Sequence, residues 1–275
     1  MKAGIFVVSL VISKLLIHCV FRGFARRGRV GLNYREEKVP LGYGIVMPFV
    51  ILAGTVAAAS PLLFIQFDSR LLIIAMLCLL VAVAGWLDDY YGSSSVKGFT
   101  GHWLAFFKER NVTTGAVKAV TGFFCAFLSA VLIGGSAWSC TVNVLLIALS
   151  INVINLLDLR PGRALKGFWL LIAISYFIGE VPPVYQPFLL LTLAVTLASA
   201  SIDFAGRAMM GDTGSNTLGF AAGVLLASSL PLFLRLILSI SFLALHMYAE
   251  SVSLTRVIDQ NKWLRTLDQL GRQQE

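Results

Sequence analysis

The sequence predicts an all-α, polytopic integral membrane helix bundle of about nine transmembrane helices, and three observations carry that expectation. Of the 275 residues, 57% are hydrophobic and only 13% charged, with a mean hydropathy of +0.83. A soluble domain of this length carries about a quarter charged residues. Apolar stretches near the roughly 20 residues that a spanning helix needs recur at 3–21, 41–65, 70–87, 113–133, 138–157, 164–180, 184–202, 213–229 and 231–254. When nine such spans alternate, 17 of the 22 basic residues fall on one side. The whole chain, 1–275, then reads as one transmembrane domain with no soluble domain and no long linker.

The first span has Lys2 before it and a basic loop after it, with Arg22, Arg26, Arg27, Arg29, Arg35 and Lys38 at 22–39. No small-residue cleavage site separates the two, so an uncleaved anchor is expected rather than a signal peptide. Lys97, Lys108 and Arg110 follow the third span, and Arg160, Arg163 and Lys166 follow the fifth. Arg207 follows the seventh, and the tail adds Arg256, Lys262, Arg265 and Arg272. Only Lys2 and Arg70 lie on the opposite side, while Lys14, Lys118 and Arg235 fall within spans. The positive-inside bias puts the N-terminus outside and the C-terminus in the cytosol of a multi-pass plasma-membrane protein. The net charge of +8 is therefore a topology signal that points to anionic membrane lipids and not to nucleic acid. The four cysteines, Cys19, Cys78, Cys125 and Cys140, have no paired spacing and read as free thiols.

The polar segments fall on the same side as the bases. GWLDDYYGSSSVKGFTGHW, residues 85–103, ends the third span with Asp88 and Asp89. SINVINLLDLRPGR, residues 150–163, ends the fifth, and MGDTGSNTLGF, residues 210–220, opens the eighth. One carboxylate where a helix leaves the bilayer costs little. Two adjacent ones repel unless a cation or proton lies between them. Mg²⁺ takes one or two carboxylates plus substrate phosphates, and the small residues Gly92–Ser95, with Lys97, leave room for a bulky anion. Asn152, Asn155 and Asp158 continue one helix face at intervals of three. They either line a watered groove or join spans by polar contacts. In GDTGS, Asp212 either ligates a metal beside a phosphate-binding helix start or, with Thr213, merely caps the helix.

These segments resemble the polyprenyl-phosphate N-acetylhexosamine-1-phosphate transferases, over most of the chain. The aspartate pair with its downstream KG and GH, the N-x-x-N-x-x-D run at 152–158 and the G-D-x-G-S-x-x-L-G run at 211–219 occur in the family's order. NYREEKVPLGYGI, residues 33–45, is similar to the family's early cytosolic K-x-P-x-x-G-G region. The resemblance implies transfer of a sugar-1-phosphate from a UDP-sugar to polyprenyl (undecaprenyl) phosphate, with release of UMP, in cell-wall or surface polysaccharide synthesis. It implies Mg²⁺, with Mn²⁺ as the alternative ion. It assigns catalysis to Asp88, Asp89 and Asp212, and metal binding to Asp212 and Asp89. Lys97, His102, Asn152, Asn155 and Asp158 would contact substrate, and the assembly admits a homodimer.

The chain departs from the family's pattern after Asp158, where Leu159-Arg160-Pro161-Gly162-Arg163 stands in place of G-x-D-G, and the histidine-bearing loop that the resemblance implies near the C-terminus is expected to be missing. Arg160 and Arg163 are expected to supply the missing anion-binding groups, Pro161 turning both over the groove. An inactive relative that binds lipid or a partner is the alternative. A transporter, with Lys14 or the His246/Glu250 pair on an ion path, is a third reading.

Overall fold

Long runs of Leu, Val, Ile and Ala become helices in the computed structural model, which describes residues 2–58, 68–92 and 113–272. Helix α1 (Lys2–Arg26) leads into a small antiparallel hairpin, β1 (Val30–Leu32) and β2 (Lys38–Pro40), with Gly31 opposite Val39. Then come α2 (Val46–Ala58), α3 (Ser69–Tyr91), α4 (Thr114–Ile133), α5 (Ala137–Leu157) and α6 (Arg163–Phe177). The chain continues through α7 (Gln186–Phe204), α8 (Gly211–Ser229) and α9 (Leu232–Ser251) to two short helices, α10 (Leu254–Gln260) and α11 (Lys262–Gln269). Side-chain oxygens of Asp68, Thr113 and Ser136 cap α3, α4 and α5, accepting from Arg70, Ala116 and Ser139 N–H groups. All four cysteines are free.

Among the described residues, six helical segments are long and apolar enough to cross a membrane: α1, α3, α4, α5, α9 and residues Pro183–Phe204. Three of the nine expected spans do not meet that standard, each for a different reason. The stretch at 41–65 is described only as far as Ala58. Helix α6 has 15 residues, about 22 Å of rise against a hydrocarbon core of about 30 Å. Helix α8 is long enough, but its first two turns, Gly211 to Thr217, hold only Gly, Asp, Thr, Ser and Asn.

That composition follows from where α8 lies. Every residue from Thr213 to Ala227 is buried, and α3, α5 and α6 pack around the helix. A helix enclosed by protein needs no apolar outer face. Small residues let backbones close instead: a Cβ on Gly219 would stand 2.5 Å from Ile151 Cα, and one on Gly223 2.7 Å from Ile147 Cα. The hydroxyls of Ser215 and Thr217 are satisfied within the helix, donating to the carbonyls of Gly211 and Thr213 at 3.2 and 2.7 Å.

One end of the bundle gathers the polar segments. The Met209 N–H donates to Pro40 O and the Gly42 N–H to Met209 O, both at 2.9 Å, so the hairpin is sewn to the α7–α8 turn. Arg272 in the tail donates to Pro161 O at 3.2 Å, bringing the tail to the α5–α6 turn. The other end holds Asp68 with Arg70, and the Glu180 N–H donating to Ser229 O at 3.1 Å.

Candidate functional site

The site begins with the aspartate pair in the last turn of α3. Successive helical residues are rotated by about 100°, so the two carboxylates meet different partners. Asp88 accepts from Thr114 Oγ1 at 2.5 Å and from Lys118 Nζ at 2.7 Å. Thr114 and Lys118 are four apart and share one face of α4. The Lys118 ammonium also pairs with Asp212, so it stands between Asp88 and Asp212. The charges of Asp88 and Asp212 are thus offset by a lysine.

Asp89 turns to the start of α8. Its Oδ1 accepts from the Asp212 N–H at 2.8 Å, and its Oδ2 from the Thr213 N–H at 3.0 Å and Thr213 Oγ1 at 2.7 Å. The first N–H groups of a helix have no partner within it, and Asp89 supplies one from another helix. Neither Asp212 nor Thr213 caps α8. Gly211 makes the approach feasible: its φ is +71°, and a Cβ there would sit 2.5 Å from Asp89 Oδ2. Both Asp89 oxygens are thus engaged in capping the start of α8.

A further acid enters where sequence reasoning assigned nothing. Asp203, in the last turn of α7, accepts from Tyr43 Oη at 2.8 Å and from the Gly162 N–H at 2.7 Å. Those two bonds tie the segment after β2 and the α5–α6 turn to α7. Asp89, Asp158, Asp203 and Asp212 then line one cavity of about 200 Å³, with Arg160 and Tyr34 in its wall. Burial pushes the Asp158 carboxyl well above the usual carboxylate range, and the nearby Asp203, Asp212 and Asp89 add to it. Arg160 brings positive charge to this acidic wall, its guanidinium carbon lying 4.7 Å from the centre of the Tyr34 ring.

Three expected substrate contacts are placed differently. Arg163, the first residue of α6, is buried and does not line the cavity. Its Nε and Nη2 donate to the two carboxylate oxygens of Asp268 at 2.8 and 3.1 Å, and Nη1 donates to Thr255 Oγ1 at 3.2 Å. Arg272 donates to the same Asp268 at 3.0 Å. Burial works against the Asp268 carboxylate, but the two guanidiniums outweigh it and hold it below the usual range. Pro161 does turn the chain, but only Arg160 is left over the cavity. A buried carboxylate needs a planar, charged fork, and Asp268 takes the one on Arg163.

Asn152 and Asn155 also lie outside the cavity lining. Asn152 pairs with His246 of α9, and Asn155 Nδ2 donates to Asn216 Oδ1 of α8 at 2.9 Å. They join helices, the other reading their spacing allowed. The His246/Glu250 pair, at 3.6 Å, is thereby part of the same α5–α9 contact. Lys97 and His102 fall outside the described residues.

Among the described residues, no group of three or more His, Cys, Asp or Glu side chains is arranged to hold a metal. Mg²⁺ asks for less, one or two carboxylates completed by water and phosphate. Asp212 faces the cavity beside Asp88 and suits that smaller requirement.

Lys118 was assigned no role from the sequence, although its place within a span, shared with Lys14 and Arg235, was a signal. A charged side chain inside an apolar helix is a functional candidate by default. No family model matches the chain, and no curated protein matches it significantly.

Proposed function

We propose that the protein is a membrane phosphotransferase that moves a sugar-1-phosphate from a UDP-sugar to polyprenyl phosphate. The observation that supports this most is the Asp88–Lys118–Asp212 arrangement beside an acid-lined cavity, at the end of the bundle where the basic segments meet. A lipid phosphate oxygen attacks the sugar-bearing phosphorus. The bond from that phosphorus to the bridging oxygen breaks, and UMP leaves with the oxygen and the electron pair. Both reactants are anions, so positioning and charge neutralisation do most of the work. Lys118 holds Asp88 and Asp212 at a fixed separation, and Arg160 offers a planar fork to the pyrophosphate oxygens. Asp88 orients the lipid phosphate. Asp212 would hold Mg²⁺ or Mn²⁺, whose contribution is charge neutralisation between the two phosphates.

In this reading the bundle crosses the plasma membrane nine times, with the N-terminus outside and the site facing the cytosol. Cysteines placed near 136 and near 160 should then react with an impermeant maleimide from opposite sides; labelling of both from one side would end the nine-span reading. Purified protein supplied with Mg²⁺, undecaprenyl phosphate and a panel of radiolabelled UDP-sugars should yield lipid-linked product and UMP, and EDTA should abolish both. A lysine already neutralising the two acids also suits an inactive relative that only binds lipid. Retention of the lipid phosphate with no product from any UDP-sugar would establish that second reading and exclude the first.

A further inference from the structure

Helix α11 is amphipathic in the opposite sense to a helix that packs on its own protein. At 100° per residue, Trp263, Leu264 and Leu267 share a face with Leu270 just past the helix end, while Lys262, Arg265 and Gln269 lie opposite. In a globular bundle the apolar stripe turns inward. Here Trp263 is 82% exposed, Leu267 62% and Leu270 65%, while Asp268 is the buried residue. Charge and hydrogen bonds hold the helix to the bundle. Asp268 sits between Arg163 and Arg272, and Lys166 Nζ donates to the carbonyls of Leu267 and Leu270 at 3.0 and 3.2 Å. The apolar face is therefore turned about a third of a turn away from the bundle, leaving it free along the flank.

Its position gives that face a partner. Helix α9 is among the six long apolar helices and ends at Ser251, with only Val252 and Ser253 between it and α10. The tail thus leaves the apolar belt directly, at the end where the basic segments collect. We infer that α11 beds in the headgroup–acyl boundary of an anionic phospholipid leaflet, with its Trp–Leu face toward the acyl chains and Lys262 and Arg265 reaching lipid phosphates. Trp is the side chain most at home at that depth. Long basic side chains keep their stems in apolar surroundings and their charges in the headgroups. Anionic lipid adds attraction for each basic residue near the surface. The surface would also steady the cavity, because Arg272 at the end of this helix holds the Pro161 carbonyl. None of this depends on the proposed reaction.

The test uses the full chain in nanodiscs of phosphatidylcholine alone, or with a quarter phosphatidylglycerol, the acyl chains brominated near the glycerol end. The Trp263 signal is isolated as the fluorescence difference between wild type and Trp263→Phe. Quenching of that signal should be about twofold or more stronger with phosphatidylglycerol. Replacing Lys262 and Arg265 together by Gln should erase the difference; both are exposed, so the fold should tolerate the change. An unquenched Trp263, or quenching equal in the two lipids, overturns the inference. So does disulfide crosslinking of two copies through Leu267→Cys in a background without the four native cysteines, which would make the face a contact between protomers.

Discussion

Asp212→Asn is expected to lower product formation at least about a thousandfold, roughly 4 kcal/mol of transition-state stabilisation, while the protein folds as before. Ordinarily a substitution in the first turn of a buried helix confounds activity with stability. Here the two separate, because the helix start is held by a different residue. Asp89, not Asp212, accepts from the N–H groups of Asp212 and Thr213, and those bonds survive the change. An asparagine has nearly the same shape, and its amide oxygen can still accept from Lys118. What it removes is the charge that faces the cavity and that would hold a divalent cation. Lipid-linked product per folded molecule and the thermal unfolding midpoint should be measured on one preparation. The midpoint should move by no more than a few degrees, the response to about 1 kcal/mol in a domain this large. If the variant unfolds readily and its folded fraction keeps wild-type turnover, Asp212 is a structural residue and the proposed site is wrong.

Particular residues show how far the sequence could be read. The helices were legible because burying apolar surface and satisfying backbone groups together dictate them in a membrane-like chain. The gathering of 22–39, 158–163, 203–212 and the tail at one end was legible through charge, since each segment carries its own arginines or lysines. Partner choice was not. Asp88 and Asp89 look identical in the sequence, yet a 100° rotation gives one a lysine and the other a helix start. Arg160 and Arg163 look equally suited to bind an anion. The difference lies in Asp268, more than a hundred residues later, which lies against one of them and not the other. Asn152 and Asn155 were open to two readings because a polar stripe serves a groove or a helix contact equally well. Asp203 and Tyr43 are 160 positions apart, and no local pattern joins them. The glycines and hydroxyls of α8 are the sequence's own sign of a helix surrounded by protein.

Lys118→Met is expected to destabilise the protein strongly. Methionine keeps the volume and flexibility of the lysine stem, so packing is little disturbed. The ammonium is lost, and Asp88 and Asp212 are left facing each other at a largely enclosed position. Their side chains are 18% and 28% exposed, and that of Lys118 23%. Breaking a buried ion pair by removing one partner costs about 3–5 kcal/mol. Partial exposure places this case toward the lower end of that range. The remedy follows from the same reasoning. Lys118→Met combined with Asp212→Asn removes the uncompensated repulsion, so the double variant should be more stable than Lys118→Met alone. The non-additivity should exceed about 1 kcal/mol, as expected for groups in direct contact. Unfolding in detergent micelles, followed by intrinsic fluorescence, measures all four members of the cycle. Restored stability should not bring back product formation, since the double variant lacks both the fixed cation and the cavity-facing carboxylate. Wild-type stability in Lys118→Met, or strictly additive effects in the cycle, would mean that the lysine does not bridge the two acids.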